Sequence, residues 1–495
     1  MHRGPLIPVV SLAAGITLSK IAELPWWFGA IPIVPAIALH AYILKASIDP
    51  VAAFKWGKWH ILWVILLFIG IGIIDESLSR PNSLEQSHGG VVPPTVYCEV
   101  TGVLTKTYGE RIDVKIEGTN GAKARIRTGI KEVSPGDIIR IPTNRLKDVA
   151  SDTTEIGRKI MPMMKASGIL YSGSIQPKYI EVVGKSNSPR YFFAEIRERI
   201  ETNIERSHLS KSTSDFLNAI LMGDKTGLNE KTRLTFVNGG MAHMLALSGL
   251  HIGILAGFLL FLMWPLKLIG HYKWGYMVAL LLLWLYVAVT GMSYSSVRAC
   301  IMTTFAFIGI MAERKNFAGS SLFSACLLIL IIDPGALFDA GFQLSVVCVG
   351  SLIAFASHLN PIGHRNHPKL YVLCGFLITT MIATGASWVL TSYYFSQVPL
   401  MFLPANFILL PLLPIYLSFA VVFVVALCLG FEIGWIANIL DLGYVGLLKS
   451  VEWLSCGTEF VVDYQIPLWG VIFWMLLLSF GAYIINRKNL KIVRN

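Results

Sequence analysis

Apolar residues run in long, nearly unbroken blocks along this chain, and polar residues gather between them. Blocks of about 20 apolar residues, the length a helix needs to cross a bilayer, recur near 5–22, 26–44 and 59–75 and then repeatedly from 249 to 486. From Glu76 to Lys231 there is no such block. The pattern predicts a polytopic α-helical membrane protein of about twelve spans, some broken or re-entrant, with one water-exposed insert.

Within the insert the period changes. VYCEVTGVLTKTY, RIDVKIEG, AKARIRTG, GDIIRIPTN and GILYSGSIQPKYIEVV are short β-rich runs punctuated by Gly, Asn and Pro. Five or so strands in about a hundred residues predict a small OB-like β-barrel. After it, YFFAEIRERIETNIERS places Phe192, Ile196, Ile200 and Ile204 at helical spacing with Glu and Arg opposite. That is an amphipathic helix expected on the outer membrane surface, and DFLNAILMGDKTGLNEKTRLTF continues in the same style. The expected divisions are 1–78 for N-terminal transmembrane helices, 88–188 for the β domain, 189–238 for interfacial helices, 239–486 for a second transmembrane domain, and 487–495 for a basic tail.

Charge sets the orientation. Lys45, Lys55 and Lys58 make the loop between the second and third blocks cytoplasmic, which puts the insert outside. Lys267/Lys273, Arg314/Lys315, Arg365/Lys369 and the tail RKNLKIVRN then fall inside by counting, and DPGALFD falls outside. His2 and Arg3 are followed directly by apolar residues with no small-residue cleavage site, so residues 5–22 are expected to be a retained first helix. The count is soft near 396–430, where Pro399, Pro404, Pro411 and Pro414 fit either one long helix or a broken segment.

Composition agrees: 54% of residues are hydrophobic and 14% charged, against roughly 25% charged in soluble domains. Only Cys98 of the seven cysteines lies in the insert, which rules out an internal disulfide there; the others read as small apolar helix residues. No CxxC or Cys/His spacing suggests a metal, and MGDKTG lacks the GxxxxGK[ST] of a phosphate-binding loop. Residues 90–190 hold 16 Lys/Arg against 10 Asp/Glu. Such a basic barrel either receives a polyanion, with Tyr97, Tyr108, Tyr171 and Tyr179 offering rings, or carries an ordinary surface excess.

Polar residues inside the apolar blocks are the candidates for function, because each is costly in lipid. HMLALSGLH holds His243, Ser248, Gly249 and His251. A helix broken at Ser248 and Gly249 would present backbone amides to an anion in a wet cavity, whereas the plain alternative is that both histidines tie neighbouring helices. In TGMSYSSVRAC, Arg298 either lines a pathway, where its fork suits phosphate, or snorkels to external headgroups. DPGALFDAGFQLS contributes Gln343 beside two aspartates read as caps, and FLPANFILLPLLP contributes Asn406 between prolines.

The order AILMGDKTGLNEKTRLTF, MAHMLALSGLHIGIL, TGMSYSSVRA, DPGALFDAGFQLS, FLPANFILLP closely resembles the competence-channel domain of the bacterial ComEC family, over residues 190 to about 430. The resemblance implies a channel in the bacterial inner (cytoplasmic) membrane that takes up single-stranded DNA during natural transformation, the basic insert corresponding to an external OB domain. It implies a DNA pathway near His243, Ser248, Gly249, His251, Arg298, Gln343 and Asn406, with no catalytic residues, metal or cofactor. Membrane lipids, a separate DNA receptor and a cytoplasmic ATPase or helicase are the implied partners. The HxHxDH signature of a metallo-β-lactamase-like domain does not occur in this sequence, so any nuclease is expected to be a separate protein. His364 and His367 read as solvated loop residues. The rivals are a transporter of another anionic solute, which would use the same broken helix and arginine, and an integral-membrane enzyme, for which no convergent acid, base or metal set is visible.

Overall fold

The computed structural model describes residues 6–46, 59–80, 84–87, 93–106, 109–119, 122–129, 133, 135–149, 169–186, 189–239, 241–245, 247–313, 318–356, 368–395, 397–399, 402–455, 461–464 and 466–492. Lys55, Lys58, Tyr108, Arg314, Lys315, His364, Arg365 and His367 lie outside them, as do the side chains of Lys45, His243 and Lys369 and of the basic tail. The chain forms two compact units, Arg3–Glu195 with Leu327–Asp339, and Ile196–Cys326 with Ala340–Asn495.

The first unit begins with α1 (Leu6–Ala22), α2 (Ala30–Ala46) and α3 (Trp59–Ser79). Helices in an apolar medium gain little from burying apolar surface, so they associate where small residues let backbones touch. A Cβ at Gly15 would lie 2.2 Å from the Ile69 carbonyl oxygen, and one at Gly72 would lie 2.5 Å from that of Leu12, so α1 and α3 are in backbone contact. At the end of this pair Arg80 donates to Glu76 Oε2 at 2.6 Å, and Ser19 Oγ donates to the same oxygen at 2.7 Å. The turn DPGALFD packs here, with Lys20 Nζ 3.9 Å from the centre of the Phe338 ring. Asp333 accepts from the Gly335 amide at 3.0 Å, the capping role expected of it.

The insert is a sheet of β1 (Thr95–Lys106), β2 (Gly109–Ile116), β3 (Lys123–Thr128), β4 (Asp137–Pro142), β5 (Leu146–Asp148), β6 (Ile169–Ser174) and β7 (Glu181–Lys185), in the order β5-β6-β3-β2-β1-β4-β7. Only the β3–β6 pairing is parallel. Alternation decides the inner face: Val96, Cys98 and Val100 on β1, Ile112, Val114 and Ile116 on β2, and Ile139 and Ile141 on β4 form one core. Burial, with Glu117 adding to it, pushes the Cys98 thiol up to about 12 and leaves it unreactive. Two points differ from the sequence reading. Among the described residues seven strands stand where five or so were expected: Pro177 opens a turn that splits GILYSGSIQPKYIEVV into β6 and β7, and Leu146–Asp148 adds the short β5. Among the described residues the edge strands β5 and β7 are not paired to each other, so the sheet is not a closed barrel.

The second unit is helical: α4 (Pro189–Arg206, from Ile196 onward), α5 (Lys211–Leu217) running into a π-helical turn Asn218–Met222, α6 (Glu230–Asn238), α7 (Gly249–Leu262), α8 (Tyr272–Val289), α9 (Tyr294–Met311), α10 (Ala318–Ile332, as far as Cys326), α11 (Ala340–Ser351), α12 (Pro368–Phe395), α13 (Phe402–Cys428), α14 (Gly434–Ser455) and α15 (Leu468–Ile492). The short strands β8 (Gln397–Pro399) and β9 (Val461–Asp463) pair antiparallel. Among the described residues three segments are long and apolar enough to cross a membrane, Tyr272–Val289, Cys374–Tyr394 and Pro411–Cys428. Shorter apolar stretches among the described residues include Leu6–Ala22, Gly249–Leu262, Ser295–Met311 and Ala318–Ile332; α7, with 14 residues, reaches only about 21 Å at the usual rise. The run around 402–428 is one helix through Pro411 and Pro414, and Ser418 Oγ bonds back to the Pro414 carbonyl at 2.7 Å. The main core gathers Phe216, Leu217 and Ile220, Phe236, Leu409 to Phe423, and Ile436 to Val451.

Candidate functional site

HMLALSGLH does break, and the backbone shows how. Ala242–Leu245 is a single 3-10 turn, Ser248 is extended at φ −123 and ψ 169, and α7 begins at Gly249. The break therefore rests on Ser248; Gly249 is an ordinary first helical residue, and a Cβ there would meet nothing nearer than Ala299 Cβ at 3.7 Å. Ser248 Oγ does not cap an amide but bonds His251 Nδ1 at 3.0 Å. His251 holds the third helical position, from which a Glu or Gln side chain reaches back to the N-cap in a capping box. Here an imidazole reaches the N-cap hydroxyl instead.

His251 is 3% exposed. With Leu221, Tyr286, Leu417 and Ser418 it lines a cavity of about 10 Å³, roughly the space of one water. Above it the Tyr286 hydroxyl donates to the Leu221 carbonyl at 2.7 Å. That carbonyl belongs to the π-helical turn, whose wide spacing leaves acceptors without their usual helical donors. The tyrosine was missed in the sequence reading, although a lone Tyr in LLLLWLYVAV signals a hydroxyl in need of a partner.

Arg298 sits in the second turn of α9, which Ser293 caps by accepting from the Ser296 amide at 3.3 Å. At 5% exposure its guanidinium is packed in the protein, which disposes of snorkelling to headgroups. Through the Gly249–Ala299 contact the start of α7 lies against the turn of α9 that carries it. Ser248, Gly249, His251 and Arg298 are thus brought to one helix junction.

The other candidates lie on other elements. Gln343 on α11 accepts from the Tyr394 hydroxyl of α12 at 2.9 Å, tying two apolar helices. Asn406 on α13 is 4% exposed, and its Oδ1 makes no hydrogen bond among the described residues. His243 contributes its backbone to the 3-10 turn. Among the described residues no three His, Cys, Asp or Glu side chains converge as a metal site would require.

On the sheet of the first unit, Tyr97 pairs across from Arg140, which in turn binds Glu181 at 2.5 Å. Tyr179 stands between Lys178 and Arg145, at 4.9 and 5.3 Å from its ring centre. Tyr97 and Tyr179 are exposed. Tyr171 is not available for stacking in the same way, since its hydroxyl accepts from the Leu84 amide at 2.8 Å.

Comparison with known proteins adds sequence relatives. Residues 220–488, more than half of the chain, match the family model described as "Competence protein". The chain is 27% identical over 222 residues to "ComE operon protein 3" of Bacillus subtilis (strain 168), a match covering 45% of this chain and 27% of that protein. No solved structure matches.

Proposed function

The chain belongs to the competence protein family, and from that premise we propose that it is a multi-pass protein of the bacterial inner membrane that admits single-stranded DNA during natural transformation. The observation that carries the reading is the junction of α7 and α9. A buried arginine in the turn of α9 that meets the amino end of a broken helix puts a guanidinium and a positive helix end together, the combination that suits a phosphodiester, within a segment that the family match covers in full. Arg298 and His251 are packed away from solvent, so a strand passes only when α7 and α9 separate.

In this reading about twelve segments cross the membrane, the shorter ones beside locally thinned lipid. The sheet domain faces outward as an OB-like platform, with Tyr97 and Tyr179 beside arginine and lysine as stacking sites for bases. The chain acts as a channel and not as an enzyme. Driving force comes from a cytoplasmic ATPase or helicase, and DNA is delivered by a separate receptor. The test is entry of labelled double-stranded DNA into a nuclease-protected cytoplasmic pool, compared between a deletion strain and its complemented parent. Loss on deletion with rescue by this chain supports the proposal; equal uptake in both sinks it. The same junction suits another anionic solute, and labelled-solute uptake competed with single-stranded DNA separates that reading.

A further inference from the structure

The amphipathic pattern of the segment after the β domain reads as a helix flat on the membrane surface, and its contacts in the fold argue for a different course. The pair α13–α14 is a ruler. Their connection turns sharply, with Gly430 at φ +84 and the Phe431 amide bonded to the Ala426 carbonyl at 2.9 Å. The chain then runs back along itself, since a Cβ at Gly443 would lie 2.8 Å from the Tyr416 ring. Everything can be measured from this turn.

The amide of His208 donates to Glu432 Oε1 at 2.6 Å, and His208 Nδ1 lies 2.7 Å from Oε2. Ser210 Oγ donates to Asp441 Oδ1 at 2.9 Å. His208 therefore sits at the turn end of the ruler, and Ser210 already lies against the second turn of α14. From there α5 climbs: the Phe216 ring stands 5.9 Å from Tyr416 and 5.1 Å from Tyr444, and the Leu221 carbonyl meets Tyr286, one turn short of the end of α8. On the descending side, a Cβ at Gly291 would lie 3.4 Å from Arg197 Nη1, so α4 starts down from that same end of α8. From Arg197 to His208 is about 16 Å, and from Lys211 to Leu221 about 15 Å, at the usual helical rise.

We infer that α4 and α5 form a re-entrant hairpin that passes through at least half of the roughly 30 Å hydrocarbon layer, and that its polar side is a wall of the aqueous passage. This rests on the reading of α8 and α13 as membrane-crossing helices. The apolar side, Ile200, Ile204, Phe216 and Leu217, is locked into the protein core. The opposite side exposes Glu198, Arg199, Asn203, Glu205 and Arg206. Charged side chains left open at hydrocarbon depth face water, because lipid contact is too costly. Alternating acidic and basic groups let a polyanion pass without trapping it, as conduction requires.

The experiment uses the full chain with its native cysteines replaced, in sealed vesicles of both orientations, and a membrane-impermeant charged thiol reagent. Single cysteines go at Glu198 and Asn203 on the polar side, at Ser212 near the tip, and at Leu442, which is 75% exposed on α14 and faces lipid. Ser212 is chosen because its replacement leaves the His208 and Ser210 contacts intact. The expected result is reaction at 198 and 203 from the side of Gly291, reaction at 212 at least tenfold faster from the opposite side, and none at 442. Reaction of 198 and 212 equally from one side is the flat helix and overturns the hairpin; protection of both 198 and 203 overturns the aqueous wall. DNA uptake is scored separately in the same variants, so a preserved labelling pattern without uptake counts against the channel and not against the hairpin.

Discussion

Replacing Tyr286 with Phe removes one oxygen and keeps the ring. That oxygen donates to the Leu221 carbonyl at 2.7 Å, at the end of the π-helical turn that closes the α5 segment. The neighbouring cavity has room for about one water, and apart from Tyr286, His251 and Ser418 its wall is apolar: Leu221, Ile254, Leu255, Phe258, Leu417 and Val421. The carbonyl is then either bare or held by a poorly anchored water. Leaving a buried acceptor unsatisfied costs about 1–3 kcal/mol, which is a factor of about 5 to 150 in the balance between docked and undocked hairpin. Two readouts check it. The variant should melt lower in detergent, and a cysteine at Met222, buried in the parent, should gain thiol reactivity by a similar factor. Unchanged melting together with unchanged reactivity at 222 would refute the idea that this hydroxyl holds the segment down.

Other outcomes follow from the same geometry. Gly15→Ala should destabilise the α1–α3 pair by about 1–3 kcal/mol, because its Cβ would meet a backbone oxygen at 2.2 Å, whereas Gly253→Ala, with nothing within 4 Å, should melt like the parent. Arg298→Ala should abolish DNA internalisation at normal protein abundance; wild-type uptake would remove its assigned role. Ser248→Ala cuts the bond to His251 at a cost of about 0.5–1.5 kcal/mol, so the variant should melt lower in detergent; unchanged melting would remove the part assigned to this bond in fixing the start of α7. The Glu432 carboxyl is held below the ordinary range, chiefly by the His208 amide. Its contribution is then complete above about pH 4.3, the unfolded value, and fades as pH falls through the lower folded value. Reactivity of a cysteine at Ser212 should accordingly rise only in acid, and Glu432→Gln should flatten that dependence.

The sequence by itself determined the class of this protein, the place of the insert and the family, because each depends on local, repeated signals. Apolar blocks need no partner to be read, alternation in AKARIRTG marks its buried Ala124, Ile126 and Thr128 without knowledge of the neighbouring strand, and the order of the motifs is itself linear information. The break in HMLALSGLH was legible too, although Ser248 and not Gly249 carries the extended backbone. Only the tertiary structure decided the rest. Amphipathicity in YFFAEIRERIETNIERS says that one side is covered and the other wet, but not whether lipid or protein does the covering. The place of that segment in the fold comes from His208 meeting Glu432 and Ser210 meeting Asp441, partners more than 220 residues away. Whether Arg298 is packed or exposed is not written in its own stretch of chain, and the fold shows it buried. A hydrogen bond or a packed face is a property of two positions at once, so no pattern along one stretch of chain can specify it.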